Sequence, residues 1–175
     1  MSHFLVIAIT SAETIVNEAL KITNILDKGE ADIVHIRKPS WSMEQTANLI
    51  EKIPAGFHPR LKIHDHFTLM DIFNLHGVHL NNRNPQANGY DKNLSKSCHS
   101  LEELTDWNRY EYMTLSPIFD SISKVGYRSA FNVKDIASSI KGKNVIALGG
   151  VNPDKFPLLR ETGFKGAAMS GYFWN

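Results

Sequence analysis

His35 and Arg37 stand two residues apart in the apolar run 33–37, and on a strand that spacing places both on one face. A guanidinium held on such a face needs an anion to be satisfied, so Arg37 reads as an anion clamp. His35 reads either as a second ligand-binding group or as a core histidine satisfied inside the protein. Ser97 and His99 repeat the spacing in the run 94–98 and just beyond it. An imidazole titrates near pH 6.5 and suits proton transfer at neutral pH. No elbow motif surrounds any serine, which argues against a catalytic triad. Gly149-Gly150 ends one apolar run and Ser170-Gly171 ends another. Backbone N–H groups at such positions can approach an anion with no side chain between, as in a phosphate cradle. Taken alone, Gly149-Gly150 is equally a tight turn from strand to helix. Lys124, within Ser-Ile-Ser-Lys-Val-Gly, either reaches a ligand anion or stays solvated. His64, His66, His76 and His79 raise the question of zinc. His64 and His66 flank Asp65, so one of the pair must leave the interior, and packed or exposed histidines are the expectation.

These residues need a scaffold, and strand-like runs alternate with helix-like segments throughout, the pattern of an α/β protein with a parallel sheet. Strands are expected at 4–9, 33–37, 61–65, 77–80, 94–98, 112–115, 145–148 and 166–169. Helical spacing is expected over 12–26, 68–75, 101–107, 133–140 and from Pro153 to before Gly163. Ser42 and Gln45 form the signature of a capping box for a helix through about residue 53. Residues 81–93 carry five Asn, a Pro and a Gly, so the fourth connection is expected to be thin. The loop 116–132 is long for a compact domain and is suspect as a ligand loop. Eight strands in order favour a closed (β/α)8 barrel of 175 residues as a single domain, 1–175. The eighth outer helix is expected to be missing, because the chain ends six residues after the last strand. In such barrels the ligand sits at the carboxyl ends of the strands and the loops after them, where His35, Arg37, His64, Asp65, His79, Ser97, His99, Lys124, Gly149-Gly150 and Ser170-Gly171 fall.

Composition excludes several classes of partner. Nineteen Lys and Arg stand against eighteen Asp and Glu, a formal net charge of +1, and no basic run or acidic tail points to nucleic acid or an anionic membrane. Cys98 is the only cysteine, so no intramolecular disulfide forms and a multi-cysteine zinc site is ruled out. A reducing cytoplasm is the expected location. The run 4–9 has no basic leader and is too short for a signal core, so it reads as a buried strand.

Five stretches resemble, in order, the thiamine phosphate synthase and thiazole tautomerase (TenI-type) superfamily of (β/α)8 barrels. They are Val34-His35-Ile36-Arg37; Ile63-His64-Asp65 with Gly77-Val78-His79-Leu80; Ser97-Cys98-His99-Ser100-Leu101-Glu102-Glu103; Ser116-Pro117-Ile118-Phe119 through Ser123-Lys124; and Ala147-Leu148-Gly149-Gly150-Val151 with Met169-Ser170-Gly171. The resemblance implies that Gly149, Gly150, Ser170 and Gly171 hold the phosphate of a thiazole phosphate. Synthases of the family also use a Gln-x-Arg-x-Lys motif for pyrophosphate, and an Asn-Asp pair with a later Asp for Mg²⁺. Here His35 replaces the Gln, Pro39 the Lys, His64 the Asn and Asn84 the later Asp, while Arg37 and Asp65 remain. Loss of a clamp cation and a carboxylate should weaken both pyrophosphate and Mg²⁺ binding.

The leading expectation is therefore a tautomerase-like isomerase without a cofactor. In it His99 moves the proton, Arg37 anchors the substrate carboxylate, and His35, Ser97 and Lys124 contribute to binding. The alternative is a synthase-type transferase in which Arg37 and Lys124 stabilise departing pyrophosphate and Asp65 holds Mg²⁺. A third is a barrel that binds a phosphorylated thiazole without turnover. An exposed barrel flank would be an apolar liability, so a homodimer is plausible.

Overall fold

The computed structural model describes residues 3–120, 129, 131–133 and 135–174. Eight parallel strands, β1 Leu5–Ile9, β2 Ile33–Ile36, β3 Leu61–Ile63, β4 Gly77–Leu80, β5 Ser95–Cys98, β6 Tyr112–Leu115, β7 Val145–Leu148 and β8 Gly166–Met169, pair in chain order. β8 returns to β1, Leu5 opposite Gly166 and Ala8 opposite Met169, and closes the barrel. The outer helices are α1 Glu18–Asp27, α2 Met43–Glu51, α3 Ala137–Ile140, α4 Phe156–Thr162 and α5 Gly171–Trp174, supplemented by short 3-10 turns.

The strands are apolar on their outward faces because helices or loops cover them. Against β1 to β4 pack Ile22, Ile25 and Leu26 of α1 and Leu49 and Ile50 of α2, at helical spacing. A second outer cluster joins β5 to β8 with Ile140 and Leu159. Ser42 caps α2 as its sequence implies: Gln45 N–H donates to the Ser42 hydroxyl, and Ser42 N–H donates to the Gln45 side chain. The Arg60 guanidinium secures the entry to β2 by donating to the carbonyls of Leu26, Ala31 and Asp32.

Several expected boundaries move. The first helix begins at Glu18, not residue 12, because Asn17 adopts a left-handed conformation and Ser11 Oγ accepts the Glu13 N–H in a turn. The segment 68–75 forms only the 3-10 turn Phe67–Asp71. The helix expected over 101–107 is replaced by turns. Glu103 folds back to accept the His99 N–H, and Asp106 has a positive φ, which together interrupt the helix; only the 3-10 turn Trp107–Arg109 follows. Of the segment 133–140, the described helix is Ala137–Ile140. The fourth connection is thin, as its Asn content implies. The eighth outer helix is reduced to the single turn α5, whose Trp174 is buried and donates its indole N–H to the Ile9 carbonyl at the end of β1. No helix among the described residues is long and apolar enough to cross a membrane.

Candidate active site at the barrel mouth

Strand alternation decides which side chains enter the barrel. On one side the interior is apolar, with Ile7, Ile9, Ile146 and Ala168 from β1, β7 and β8. On the other, β2 to β6 send in His35, Lys62, His64, His79, Ser95, Ser97 and Tyr112, and these bond to one another. His35 Nδ1 lies 2.9 Å from His64 Nε2, and His35 Nε2 lies 2.6 Å from the Tyr112 hydroxyl. His79 bridges Ser95 and Ser97, at 2.8 and 2.9 Å. Lys62, fully buried, donates to Ser95, to the Asn93 carbonyl and to Glu111, and its ammonium lies 4.3 Å from the centre of the Tyr112 ring.

Burial makes this half of the barrel hostile to positive charge. It holds the His35 and His64 imidazoles well below their ordinary range, with the neighbouring histidines adding to the effect. Burial, then the Lys62 charge, brings His79 down to about 3. Burial also lowers Lys62 to about 8, against the pull of Glu111. All three imidazoles are therefore neutral near pH 7.

His35, His64 and His79 offer ligand atoms within 4.8 Å of one another, the one such group of histidines, cysteines and carboxylates among the described residues. Their geometry is that of a hydrogen-bonded chain. Both nitrogens of His35 and both of His79 are engaged, and the His64 and His79 rings stack with centroids 4.3 Å apart and planes 28° apart. With these nitrogens bonded to one another and to hydroxyls, no set of three free lone pairs is left to converge on one ion. His66 turns away to the Trp41 carbonyl, and His76 pairs with Glu111 at the other end of the barrel. The four histidines weighed from sequence are thus split, and His35 joins two of them.

At the mouth above β2 to β4, the Asp65 carboxylate accepts from two neighbouring side chains. The Arg83 guanidinium donates to both carboxylate oxygens at 3.1–3.2 Å, and the Asn84 amide donates to Oδ1 at 2.8 Å. Mg²⁺ in a site of this kind is held by one or two carboxylates together with substrate phosphates, so a carboxylate oxygen must be free to turn to it. The residues present supply one carboxylate, already covered by cationic and amide N–H groups, and a neutral Asn beside it that donates to the same oxygen. The donor set does not fit Mg²⁺. Arg37, half-buried beside this pair, makes no hydrogen bond or ion pair through its guanidinium among the described residues; burial, then Arg83, lowers its pKa.

On the opposite side of the barrel, Gly149 and Gly150 both have positive φ, 93° and 62°. A Cβ at Gly149 would stand 2.8 Å from Pro117 Cα, and one at Gly150 would stand 2.3 Å from the Asp120 carbonyl oxygen. The steric demand for glycine here thus comes from the loop after β6, which presses on the end of β7. Among the described residues the N–H groups of Gly150, Ser170 and Gly171 have no protein acceptor and remain available to a ligand. His99 lies just past β5, exposed, with Nδ1 3.2 Å from Ser116 Oγ. Ser116 precedes the Pro117 that packs on Gly149, so His99 is tied to the glycine end of the mouth. Ser97 instead points inward to His79. Lys124 lies outside the described residues.

Sequence reasoning missed Lys62, Ser95, Tyr112 and Arg83. The signal for the first three was present: polar residues at alternate positions of otherwise apolar strands face the interior of a barrel. Arg83, in a loop without pattern, carried none.

An eight-stranded parallel barrel closed in chain order, with arginines and unbonded backbone N–H groups at the carboxyl ends of its strands, is a TIM barrel, a fold whose sites lie at that face. The comparison with known proteins narrows this. The family model described as thiamine monophosphate synthase matches residues 6–172, and the chain belongs to that family. A crystal structure of thiamine phosphate pyrophosphorylase from Bacteroides thetaiotaomicron is 35% identical, covers 100% of this chain and 85% of its own, and has a TM-score of 0.84. A thiamine-phosphate synthase from Clostridium tetani is 25% identical over 154 residues, 81% of this chain and 73% of its own length. A thiamine phosphate pyrophosphorylase from Pyrococcus furiosus, 16% identical over 95% of this chain and 85% of its own with a TM-score of 0.76, shares the fold.

Proposed function

We propose that this chain is a thiamine phosphate synthase-type transferase that joins a pyrimidine diphosphate to a thiazole phosphate. The observation that carries the reading is a mouth with two anion-holding ends on opposite sides of the barrel. Arg37 and Arg83 stand at the ends of β2 and β4; the free N–H groups of Gly150, Ser170 and Gly171 stand at β7 and β8. A reaction between a diphosphate and a monophosphate needs both. The names of the relatives support the same choice over the isomerase.

In this reading the bond from the pyrimidine methylene carbon to the diphosphate oxygen breaks, and its electron pair leaves with pyrophosphate. A bond forms between that carbon and the thiazole nitrogen. The two guanidinium groups offset the charge developing on the leaving group. The N–H groups at β7 and β8 fix the thiazole phosphate so that its nitrogen faces the carbon. No general base is required, since the thiazole nitrogen carries no proton to lose. The protein acts in the cytoplasm on small molecules.

Incubation with both substrates tests this: thiamine phosphate and pyrophosphate should appear in equal amounts. One observation favours a second reading, thiazole tautomerisation. His99, exposed at the mouth and linked to Ser116, is placed to move a proton on a ligand held at the glycine end. Conversion of the non-aromatic thiazole phosphate carboxylate with no coupling would select that reading, and His99→Ala should then abolish it.

A further inference from the structure

The contacts around Asp65 lead beyond the choice of reaction. We infer that the diphosphate end of this mouth works without a divalent cation, the Arg83 guanidinium taking the place on Asp65 that a metal would need. The inference rests on the synthase-type reading for the identity of its ligand and on the following geometry for its chemistry.

Asp65 is set by a rigid turn. Asn81 and Asn84 exchange backbone hydrogen bonds at 3.1 and 3.0 Å, and the Asn81 side chain accepts the Arg83 N–H at 3.0 Å. The Asn81 and Asn84 amides both donate to the His64 carbonyl, at 2.9 and 3.0 Å. This turn delivers Arg83 and Asn84 together to the Asp65 carboxylate, where every contact is an N–H donor. A metal would have to displace Arg83 and then sit against the Asn84 amide. It would gain no second carboxylate there. His64, next to Asp65 in sequence, points inward to His35 and cannot turn to an ion at the mouth without breaking that bond.

The same arrangement suits an anion. Asp65 neutralises one of two guanidiniums and leaves beside them Arg37, which has no ion pair among the described residues, so these three side chains together carry one net positive charge. Arginine forks match phosphoryl oxygens in a way that a hydrated ion is not needed to mediate. Asp65 is then a positioning residue for Arg83.

Calorimetric titration of the intact protein with inorganic pyrophosphate, in EDTA and in Mg²⁺, tests the inference. Thiazole phosphate is titrated in parallel to test the underlying reading. Pyrophosphate should bind in EDTA with an affinity within about threefold of that in Mg²⁺. Arg83→Met should weaken it by about tenfold or more, the worth of a lost charge-assisted bond, while thiazole phosphate binding stays unchanged and shows the variant to be folded. Pyrophosphate binding that requires Mg²⁺, or that Arg83→Met strengthens in Mg²⁺ by freeing Asp65, would overturn the inference and leave the synthase-type reading standing. Failure of thiazole phosphate to bind the wild-type protein would overturn that reading itself.

Discussion

The Tyr112 hydroxyl and His35 Nε2 lie 2.6 Å apart across the barrel interior, joining strands 77 residues apart in sequence. This bond links β6 to β2 and orients the imidazole whose other nitrogen meets His64. Tyr112→Phe removes the hydroxyl and leaves a buried ring nitrogen without its partner. The expected loss of stability is about 1–2 kcal/mol, read from urea unfolding. A loss too small to measure would show the bond to be energetically empty.

The neutral imidazoles make stability depend on pH with a definite sign. In the unfolded chain each histidine takes up a proton near pH 6.5, whereas His79 in the fold does so only at about 3, and His35 and His64 are likewise depressed. Between those values the unfolded state binds more protons, so stability is full above about pH 6.5 and falls as pH drops. Each group contributes up to about 1.4 kcal/mol per pH unit. Urea midpoints measured from pH 7.5 to 4.5 should fall steeply below 6.5; a flat profile would mean that the cluster is protonated or hydrated.

Lys62 and Glu111 are unequal partners, since Lys62 is fully buried and Glu111 keeps about a third of its side chain exposed, at 32%. Glu111→Ala strands the ammonium inside the barrel and should cost about 3 kcal/mol, at the lower end for breaking a buried pair because water can reach the vacated side. Lys62→Met removes the buried charge while Glu111 keeps its bond to His76, and should cost clearly less. Paired unfolding curves decide it, and equal losses would contradict the asymmetry.

Gly150→Ala places a Cβ 2.3 Å from the Asp120 carbonyl at a φ of 62°. The loop after β6 must move, at a cost of about 1–3 kcal/mol. Because that loop and the free N–H of residue 150 form one end of the mouth, thiazole phosphate affinity should fall in calorimetry while pyrophosphate affinity is preserved. Loss of both in step would place the two anions at one end.

The barrel was legible because most of its strands carry apolar outward faces that stand out as short runs between helix-like segments, although β5, Ser95–Cys98, is largely polar. β4, β6, β7 and β8 match expectation residue for residue. Helix starts were less legible: Asn17 and Asp106 use positive φ to end or delay a pattern that the apolar spacing alone would continue. The turn at Gly149-Gly150 could be read from its place after an apolar run, and both residues have positive φ. The histidine chain could not, because His35, His64 and His79 come from three strands and meet only after closure. Arg83 was invisible for the same reason, its role fixed by a turn that returns it to Asp65.

The most direct test of a two-ended mouth is simultaneous occupancy. Thiazole phosphate is titrated into protein already saturated with pyrophosphate, and the order is then reversed. The structure predicts one equivalent of each bound, neither displacing the other. Competition for a single site would contradict the separation of the Arg37–Arg83 end from the Gly150–Ser170 end, and with it the proposed transfer between them.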